Sequence, residues 1–337
     1  MMRALICDEP GKLSLIQRDV PVPREGEVLV RIRRVGICGT DFHIYQGKHP
    51  FLEYPRVMGH ELSGTVEEAP SSSRLSTGDN VYIVPYLSCG KCVACSRGVT
   101  NACQNIAVLG VHRDGGMSEY LCVPEQNVIS AGNASLDEAA MIEFLAIGAH
   151  GVKRGGITAA DRVLVVGSGP IGMSAIIFAK ARGADVTVMD MREDRLAFTV
   201  ASLGADRTLV ANADAEAEAK KITGGDFFDV VIDATGNAAA MQRGFGFVAH
   251  AGRYVLVSVV RQDITFSDPE FHKRETTLYA SRNAQPDDFA EVVKQMEAGR
   301  VPTLALNTHR GALADAPQLF NDWLRPEAGV IKAILEV

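Results

Sequence analysis

Cysteine is scarce, 7 in 337 residues, which is too few for the disulfide framework of a small secreted scaffold. A leader is not expected either, because Arg3, Asp8, Glu9, Lys12, Arg18 and Asp19 interrupt the apolar residues of the first thirty. Long apolar runs are also missing. The longest, residues 163–179, is broken by three glycines and a proline and is shorter than the ~20 residues of a membrane helix. A cytoplasmic chain with no membrane partner is therefore expected. There is no basic excess: 34 Lys and Arg stand against 41 Asp and Glu, a net charge of -7, which opposes a phosphate backbone and excludes a nucleic-acid partner. No internal repeat is present. With 47% hydrophobic and 22% charged residues, the composition suits large cores, and the length suits two domains of ~100–200 residues each.

Four of the few cysteines are clustered. Cys89, Cys92, Cys95 and Cys103 have the spacing C-x2-C-x2-C-x7-C in CGKCVACSRGVTNAC. Thiolates two residues apart can converge on one tetrahedral zinc at about 2.3 Å, and the fourth closes the cage. A closed four-thiolate site has no open position, so this zinc is expected to be structural. Disulfides are the alternative, and the expected compartment opposes them. Cys7 and Cys122 read as packing residues.

The first ~150 residues consist of short strand-like runs such as 27–33 (EVLVRIR) and 80–85, separated by Gly, Pro and polar turns. From about residue 159 the pattern alternates: RVLVVG, MSAIIFAKARG, DVTVMD, EDRLAFTVASLGA, FDVVIDATG, AAAMQRGFGFVAHAG, RYVLVSV. Strand and helix in alternation require parallel pairing through crossover helices, hence a doubly wound α/β sheet. TTLYASR and the helix-like DDFAEVVKQMEAGR follow, and ANADAEAEAK reads as an exposed helix.

Within that region Gly167, Gly169 and Gly172 form G-x-G-x-x-G with Pro170 and Ile171, directly after an apolar strand and before a helix. Such glycines allow a tight turn, close approach of pyrophosphate to backbone N–H groups, and close helix–strand packing. Asp190 ends the next strand, 18 residues past Gly172, where a carboxylate accepts ribose hydroxyls and repels a 2′-phosphate. That favours NAD over NADP, with Arg192 and Arg195 nearby as either phosphate-reading or solvated charges. Asp233 in VIDATG reads as a strand end near the cofactor or as a turn residue.

A second, more dispersed metal set is Cys38-Gly39-Thr40-Asp41-Phe42-His43 together with Gly59-His60-Glu61. Thiolate, imidazole and carboxylate can hold zinc with a position open to substrate oxygen. Asp41, three residues past Cys38, is expected to hydrogen-bond the His60 imidazole.

Taken together, GICGTDFH at 36–43, GHE at 59–61, the four-cysteine lobe, VGSGPIG, Asp190 and THR at 308–310 resemble the zinc-containing medium-chain dehydrogenases, which include alcohol, sorbitol and threonine dehydrogenases. The resemblance covers nearly the whole chain. It implies two Zn2+ per chain, one catalytic and one structural, with NAD as cofactor. The implied fold is a Rossmann domain at 148–283 inserted into a β-rich, GroES-like catalytic domain (1–147 and 284–337, structural zinc lobe 86–105), with the active site in the cleft. By the same resemblance Cys38 and His60 bind catalytic zinc, and Glu61 or Glu143 completes the shell or orients the ligands through hydrogen bonds. Glu143 stands where polyol-type relatives carry glutamate and alcohol dehydrogenases cysteine. Thr40 is implied to contact the substrate oxygen and His43 to relay its proton to solvent. Zinc is needed because an unactivated alcohol, like bulk water, holds its proton far above neutral pH, and a metal can bring a bound oxygen to about 7.

Residues 46–61 (QGKHPFLEYPRVMGHE) and 271–284 (FHKRETTLYASRNA) look most like the sugar-acid branch, the 5-dehydrogenases of gulonate, idonate or galactonate in carbohydrate metabolism. Sorbitol dehydrogenases usually have tyrosine directly after the histidine of this motif, whereas Ile44 follows His43 here. Arg282, matching a substrate-cleft arginine of polyol relatives, is expected to pair with a substrate carboxylate, assisted by Lys48 or His49, which otherwise read as loop charges. The alternatives are a broad-specificity alcohol, sorbitol or threonine dehydrogenase, and a non-catalytic zinc- and NAD-binding protein. The resemblance also implies a homodimer or homotetramer, for which the apolar RYVLVSV would suit a joining sheet edge.

Overall fold

In the computed structural model, which describes residues 1–49 and 52–337, the chain divides into two compact units, Met1–Glu143 with Thr303–Val337, and Phe144–Pro302. The first division falls inside the helix Leu136–Arg154. The second falls at 302/303, later than the expected 283/284, because the helix Pro286–Glu297 belongs with the second unit. There His150 Nδ1 lies 2.7 Å from Asp288 Oδ2 with both side chains buried, and Lys153 pairs with Asp287.

The first unit is built on the eleven-residue strand Glu27–Ile37. Its apolar residues Val28, Val30, Ile32, Val35 and Ile37 are buried in one continuous core with Leu5, Leu62, Val66 and Leu335. Glu61–Glu68 and Tyr120–Pro124 pair with it antiparallel. So does the C-terminal strand Lys332–Glu336, with Ala333 opposite Ile37 and Ile334 opposite Gly36. The C-terminal strand thus joins the sheet built on Glu27–Ile37, with Asn307–Ala312 pairing parallel on its other side.

The second unit holds a six-stranded, wholly parallel sheet. Numbered within this unit, its strands are Arg162–Val166 (first), Asp185–Asp190 (second), Arg207–Val210 (third), Phe228–Asp233 (fourth), Val248–Leu256 (fifth) and Thr277–Ala280 (sixth). Their spatial order is third, second, first, fourth, fifth, sixth. This is the Rossmann order, reversing direction after the first strand. The glycine turn, Asp190, Asp233 and Arg282 all follow or close carboxyl ends of strands, the side of an open α/β sheet where ligands bind.

Three details differ from the expectations. The third strand, RTLV, escapes the pattern because it is short, half polar and at the sheet's edge, with only Leu209 buried. AAAMQRGFGFVAHAG is a helix only over Ala238–Gly244; Val248 already pairs with Phe228 and opens the fifth strand. RYVLVSV cannot serve as a joining edge, since the fifth strand is flanked by the fourth and sixth and its backbone groups are engaged on both sides. The edge on that side of the sheet is Thr277–Ala280. Among the described residues no helix is long and apolar enough to cross a membrane.

Burial pushes the Asp288 carboxyl up, but the His150 ring, the Gln285 N–H and Lys153 outweigh it and hold it below the ordinary 3.8. A carboxyl depressed on folding stabilises above its unfolded pKa and loses that contribution as pH falls through its folded value. Asp288→Asn is therefore expected to cost about 1–3 kcal/mol at pH 7, with the deficit shrinking as pH falls below the ordinary carboxylate range. Urea unfolding of parent and variant at pH 7 and at acid pH checks this, and an equal gap at both would contradict it.

Candidate active site and metal centres

The four-cysteine lobe is opened by the strand Tyr86–Leu87 and closed by Ala107–Val108, which pair antiparallel. Between them the four sulfurs lie within 4.8 Å of one another, with Cys92 Sγ 3.5 Å from Cys95 Sγ and 3.8 Å from Cys103 Sγ. Tetrahedral zinc with 2.3 Å bonds sets sulfurs about 3.8 Å apart, so the lobe fits the ion. Backbone N–H groups of Cys89 and Asn105 donate to Cys103 Sγ at 3.3 and 3.4 Å. Backbone N–H groups from Cys95 and Gln104 bring the Cys92 thiol down to about 6, which favours the thiolate a metal requires. All seven thiols are free.

Cys38 follows the strand Glu27–Ile37 and is the N-cap of the helix Gly39–Tyr45. Glu61 opens the strand Glu61–Glu68, opposite Gly36, and His60 precedes it. Ligand atoms of Cys38, His60 and Glu61 lie within 4.8 Å of one another, and thiolate, imidazole and carboxylate are the donor types of a zinc site with an open position. Gly36 is required by this packing, for a Cβ there would stand 2.2 Å from Glu61 Oε2. Asp41 serves differently from its expected role. Its carboxylate accepts the Cys38 N–H at 2.9 Å and the Gly59 N–H at 3.3 Å, while His60 Nδ1 lies 3.8 Å away, beyond hydrogen-bond reach. The acid ties together the two backbone segments that carry the ligands. Burial opposes a charged His60, yet Asp41, Cys38 and Glu143 outweigh it and raise its basicity well above the ordinary 6.5.

Two partners here escape the sequence reading. Lys332 Nζ donates to both Glu61 oxygens at 2.7 Å and to the Ile37 carbonyl at 3.2 Å, and both side chains are buried. The signal was a lone lysine opening the apolar strand KAILE. The other partner is Tyr86, whose hydroxyl donates to Glu143 Oε1. Glu143, on the helix Leu136–Arg154, stands outside the three-donor group, but its charge acts on His60. Burial and then Glu61 push the Glu143 carboxyl up, against His60 and Tyr86.

Thr40 and His43 lie three apart on the helix Gly39–Tyr45, so they share a face. Thr40 is half-buried and His43 exposed. Desolvation of the ring and the Lys48 charge lower His43 below 6.5, leaving it a neutral acceptor at pH 7. Lys48 is exposed and donates to Gln46 Oε1 at 2.9 Å; His49 is half-buried. Pro50 and Phe51, in the same stretch, lie outside the described residues.

In the second unit Gly167 has φ +93° and Gly169 caps the helix Pro170–Ala181, with Pro170 at its first position and Ile171 next. A Cβ on Gly172 would meet Gly167 O at 1.8 Å, whereas one on Gly169 would meet nothing within 4 Å. The turn is thus close-packed behind and open in front of a helix N-terminus, the form a pyrophosphate fits. Asp190 Oδ2 accepts the Ser168 N–H at 2.6 Å and its hydroxyl at 2.7 Å. Arg192 forks onto Asp194 through Nε at 3.1 Å and Nη2 at 2.6 Å. Arg195 is half-buried on the helix Glu193–Leu203, and burial followed by Arg192 lowers its pKa. Asp233 has the turn role: Thr235 donates to its Oδ1 from N–H at 3.0 Å and from its hydroxyl at 2.9 Å. Arg282 is exposed, just past the sixth strand.

Known proteins match this arrangement along its length. Residues 24–133 match the alcohol dehydrogenase GroES-like domain and residues 170–298 the zinc-binding dehydrogenase family. The L-galactonate-5-dehydrogenase of Escherichia coli K12 is 41% identical over 335 residues, 99% of this chain and 98% of that protein. An L-threonine 3-dehydrogenase of Pyrococcus horikoshii is 33% identical, over 92% of this chain and 91% of that one. Among solved structures, an alcohol dehydrogenase from Escherichia coli CFT073 complexed with NADH superposes with a TM-score of 0.93 at 30% identity, covering 100% of this chain and 99% of that one. The chain belongs to the zinc-binding alcohol dehydrogenases with a GroES-like domain, oxidoreductases that act on CH–OH groups with zinc and a nicotinamide dinucleotide.

Proposed function

We propose that the chain oxidises a secondary alcohol of a sugar acid, such as galactonate, gulonate or idonate, reversibly and with NAD. The observation that carries this reading is the 41% identity, over 99% of the chain, to a protein named for L-galactonate. Arg282, exposed just past a strand end, supports it as a partner for the carboxylate of the acid, with Lys48 or His49 beside the catalytic helix as auxiliaries. NAD is supported by the anionic Asp190 and by Arg192 being forked onto Asp194 rather than turned to a 2′-phosphate. Self-association as a dimer or tetramer belongs to the same proposal, with Thr277–Ala280 as the joining edge.

Zinc held by Cys38, His60 and a glutamate supplies the Lewis acidity that lowers the pKa of the reacting hydroxyl. Charge decides between the glutamates. A divalent ion, the Cys38 thiolate and one glutamate sum to zero, Lys332 cancels the other glutamate, and the Asp41 carboxylate is held apart by the Cys38 and Gly59 N–H groups. Glu61 lies nearer Cys38 and His60, but both its oxygens accept from Lys332; we therefore assign Glu143 to the ion, with Glu61 able to exchange as substrate enters. The Thr40 hydroxyl would accept the reacting hydroxyl's proton while giving up its own, and His43, one turn on and neutral at pH 7, would take that proton toward solvent.

Rates of NADH formation across sugar acids, polyols, threonine and simple alcohols test the proposal. The expected outcome is turnover of one sugar acid, abolished by a chelator and restored by zinc; turnover of threonine with silence on the acids would favour the threonine-dehydrogenase reading that the 33% relative offers. Arg282→Ala is expected to raise KM for the acid roughly 10–100-fold, the worth of a hydrogen bond to a charged group, and an unchanged KM would exclude the carboxylate role. Lys332→Met strands the buried Glu61 charge and is expected to cost about 3–5 kcal/mol in urea unfolding, most of it recovered on adding Glu61→Gln.

A further inference from the structure

Tyr86 has no part in the chemistry described so far, yet its hydroxyl donates to Glu143. Its backbone is fixed from two sides. Tyr86 pairs with Val108, and Asn127 Nδ2 donates to the carbonyls of both Val84 and Tyr86, at 2.8 and 3.1 Å. Three residues on, Cys89 begins the four-cysteine lobe. The ring itself is buried. A glutamate has three rotatable bonds, and in this buried setting water does not stand in for a missing donor.

We propose that Tyr86 is a positioning residue of the catalytic zinc site, holding one oxygen of Glu143 so that the other is presented to the metal. This rests on the assignment of Cys38, His60 and Glu143 to zinc made above. The phenol O–H occupies one carboxylate oxygen and thereby restricts Glu143 to one-oxygen coordination from a fixed direction. Outer-sphere donors to metal-binding carboxylates commonly set metal affinity by about 10–100-fold. Through the short strand Tyr86–Leu87, the four-cysteine lobe is part of the frame that holds this donor, which gives a structural zinc a direct bearing on the catalytic one.

Tyr86→Phe keeps the ring and removes the donor, so the readout is zinc affinity measured by chelator competition on the full-length protein, with thermal unfolding alongside. The expected result is a dissociation constant for the catalytic zinc raised about 10–100-fold, the four-cysteine zinc retained, and no further rise when Tyr86→Phe is added to Glu143→Gln. An unchanged constant in Tyr86→Phe overturns the proposal. So does an equal rise in the Glu143→Gln background, since the tyrosine would then act by another route. His60→Ala separates this from the underlying assignment: loss of one zinc per chain sustains it, whereas retention of both overturns the catalytic-site reading and this inference with it.

Discussion

The ion pair between Lys332 and Glu61 sits inside the catalytic unit where water is excluded, and the arrangement of the site depends on it. Taking two charges out of water carries a desolvation cost of several kcal/mol per ion, so such a pair persists only with close geometry and further hydrogen bonds. Here Lys332 meets both oxygens of Glu61 and the carbonyl of Ile37. Without the lysine, the carboxylates of Asp41, Glu61 and Glu143, a thiol and an imidazole would share one buried volume with no fixed cation among them. The pair settles the charge of one of these carboxylates, and the N–H groups of Cys38 and Gly59 hold that of Asp41.

That geometry is delivered by strand register rather than by any loop. Gly36 lies opposite both Glu61 on one side and Ile334 on the other. Cys38 is therefore two residues beyond a rung whose neighbours lead to Glu61 and to Lys332. A one-residue slip would turn every side chain to the other face of the sheet, and the apolar core of Val28, Val30, Ile32 and Val35 makes such a slip costly. Gly36 completes the device, since its missing side chain is the space the Glu61 carboxylate occupies. Asp41 then ties Cys38 to Gly59 through backbone N–H groups, fixing the two turns relative to each other.

The same distinction explains what could be read in the sequence. The four-cysteine lobe and the glycine turn are legible because their chemistry is local, with all donors or close approaches falling within a few residues. Lys332 and Tyr86 are not, because their partners lie 271 and 57 residues away and no spacing rule connects them. A lysine in an apolar strand, or a tyrosine beside a metal lobe, signals only that a partner is needed. The nearness of Asp41 to His60 is legible, but its choice of backbone N–H groups over the imidazole depends on how the turn at Gly59 approaches. RYVLVSV resembles a joining edge in sequence because apolar periodicity records burial and does not distinguish an interior strand from one that self-associates. The third strand, Arg207–Val210, carries too little apolar signal to register.

In the nucleotide-binding unit a comparable economy joins two recognition tasks. Ser168, inside the glycine turn, donates both its N–H and its hydroxyl to Asp190 at the end of the neighbouring strand. The turn that suits pyrophosphate and the carboxylate that suits ribose are thereby one hydrogen-bonded unit, and the acid is held in place before any ligand arrives. The two Ser168 donors use both lone pairs of Oδ2, and Oδ1 accepts the Arg192 N–H at 2.9 Å, so Asp190 keeps one acceptor position, on Oδ1. Because the second strand is parallel to the first and pairs Val166 with Met189, the register that fixes the sheet also fixes this contact. Glu61 and Asp190 are thus alike in one respect: each is a carboxylate at a strand end, the first buried and the second half-buried, oriented by a donor from a strand of the same sheet or from the turn that follows one.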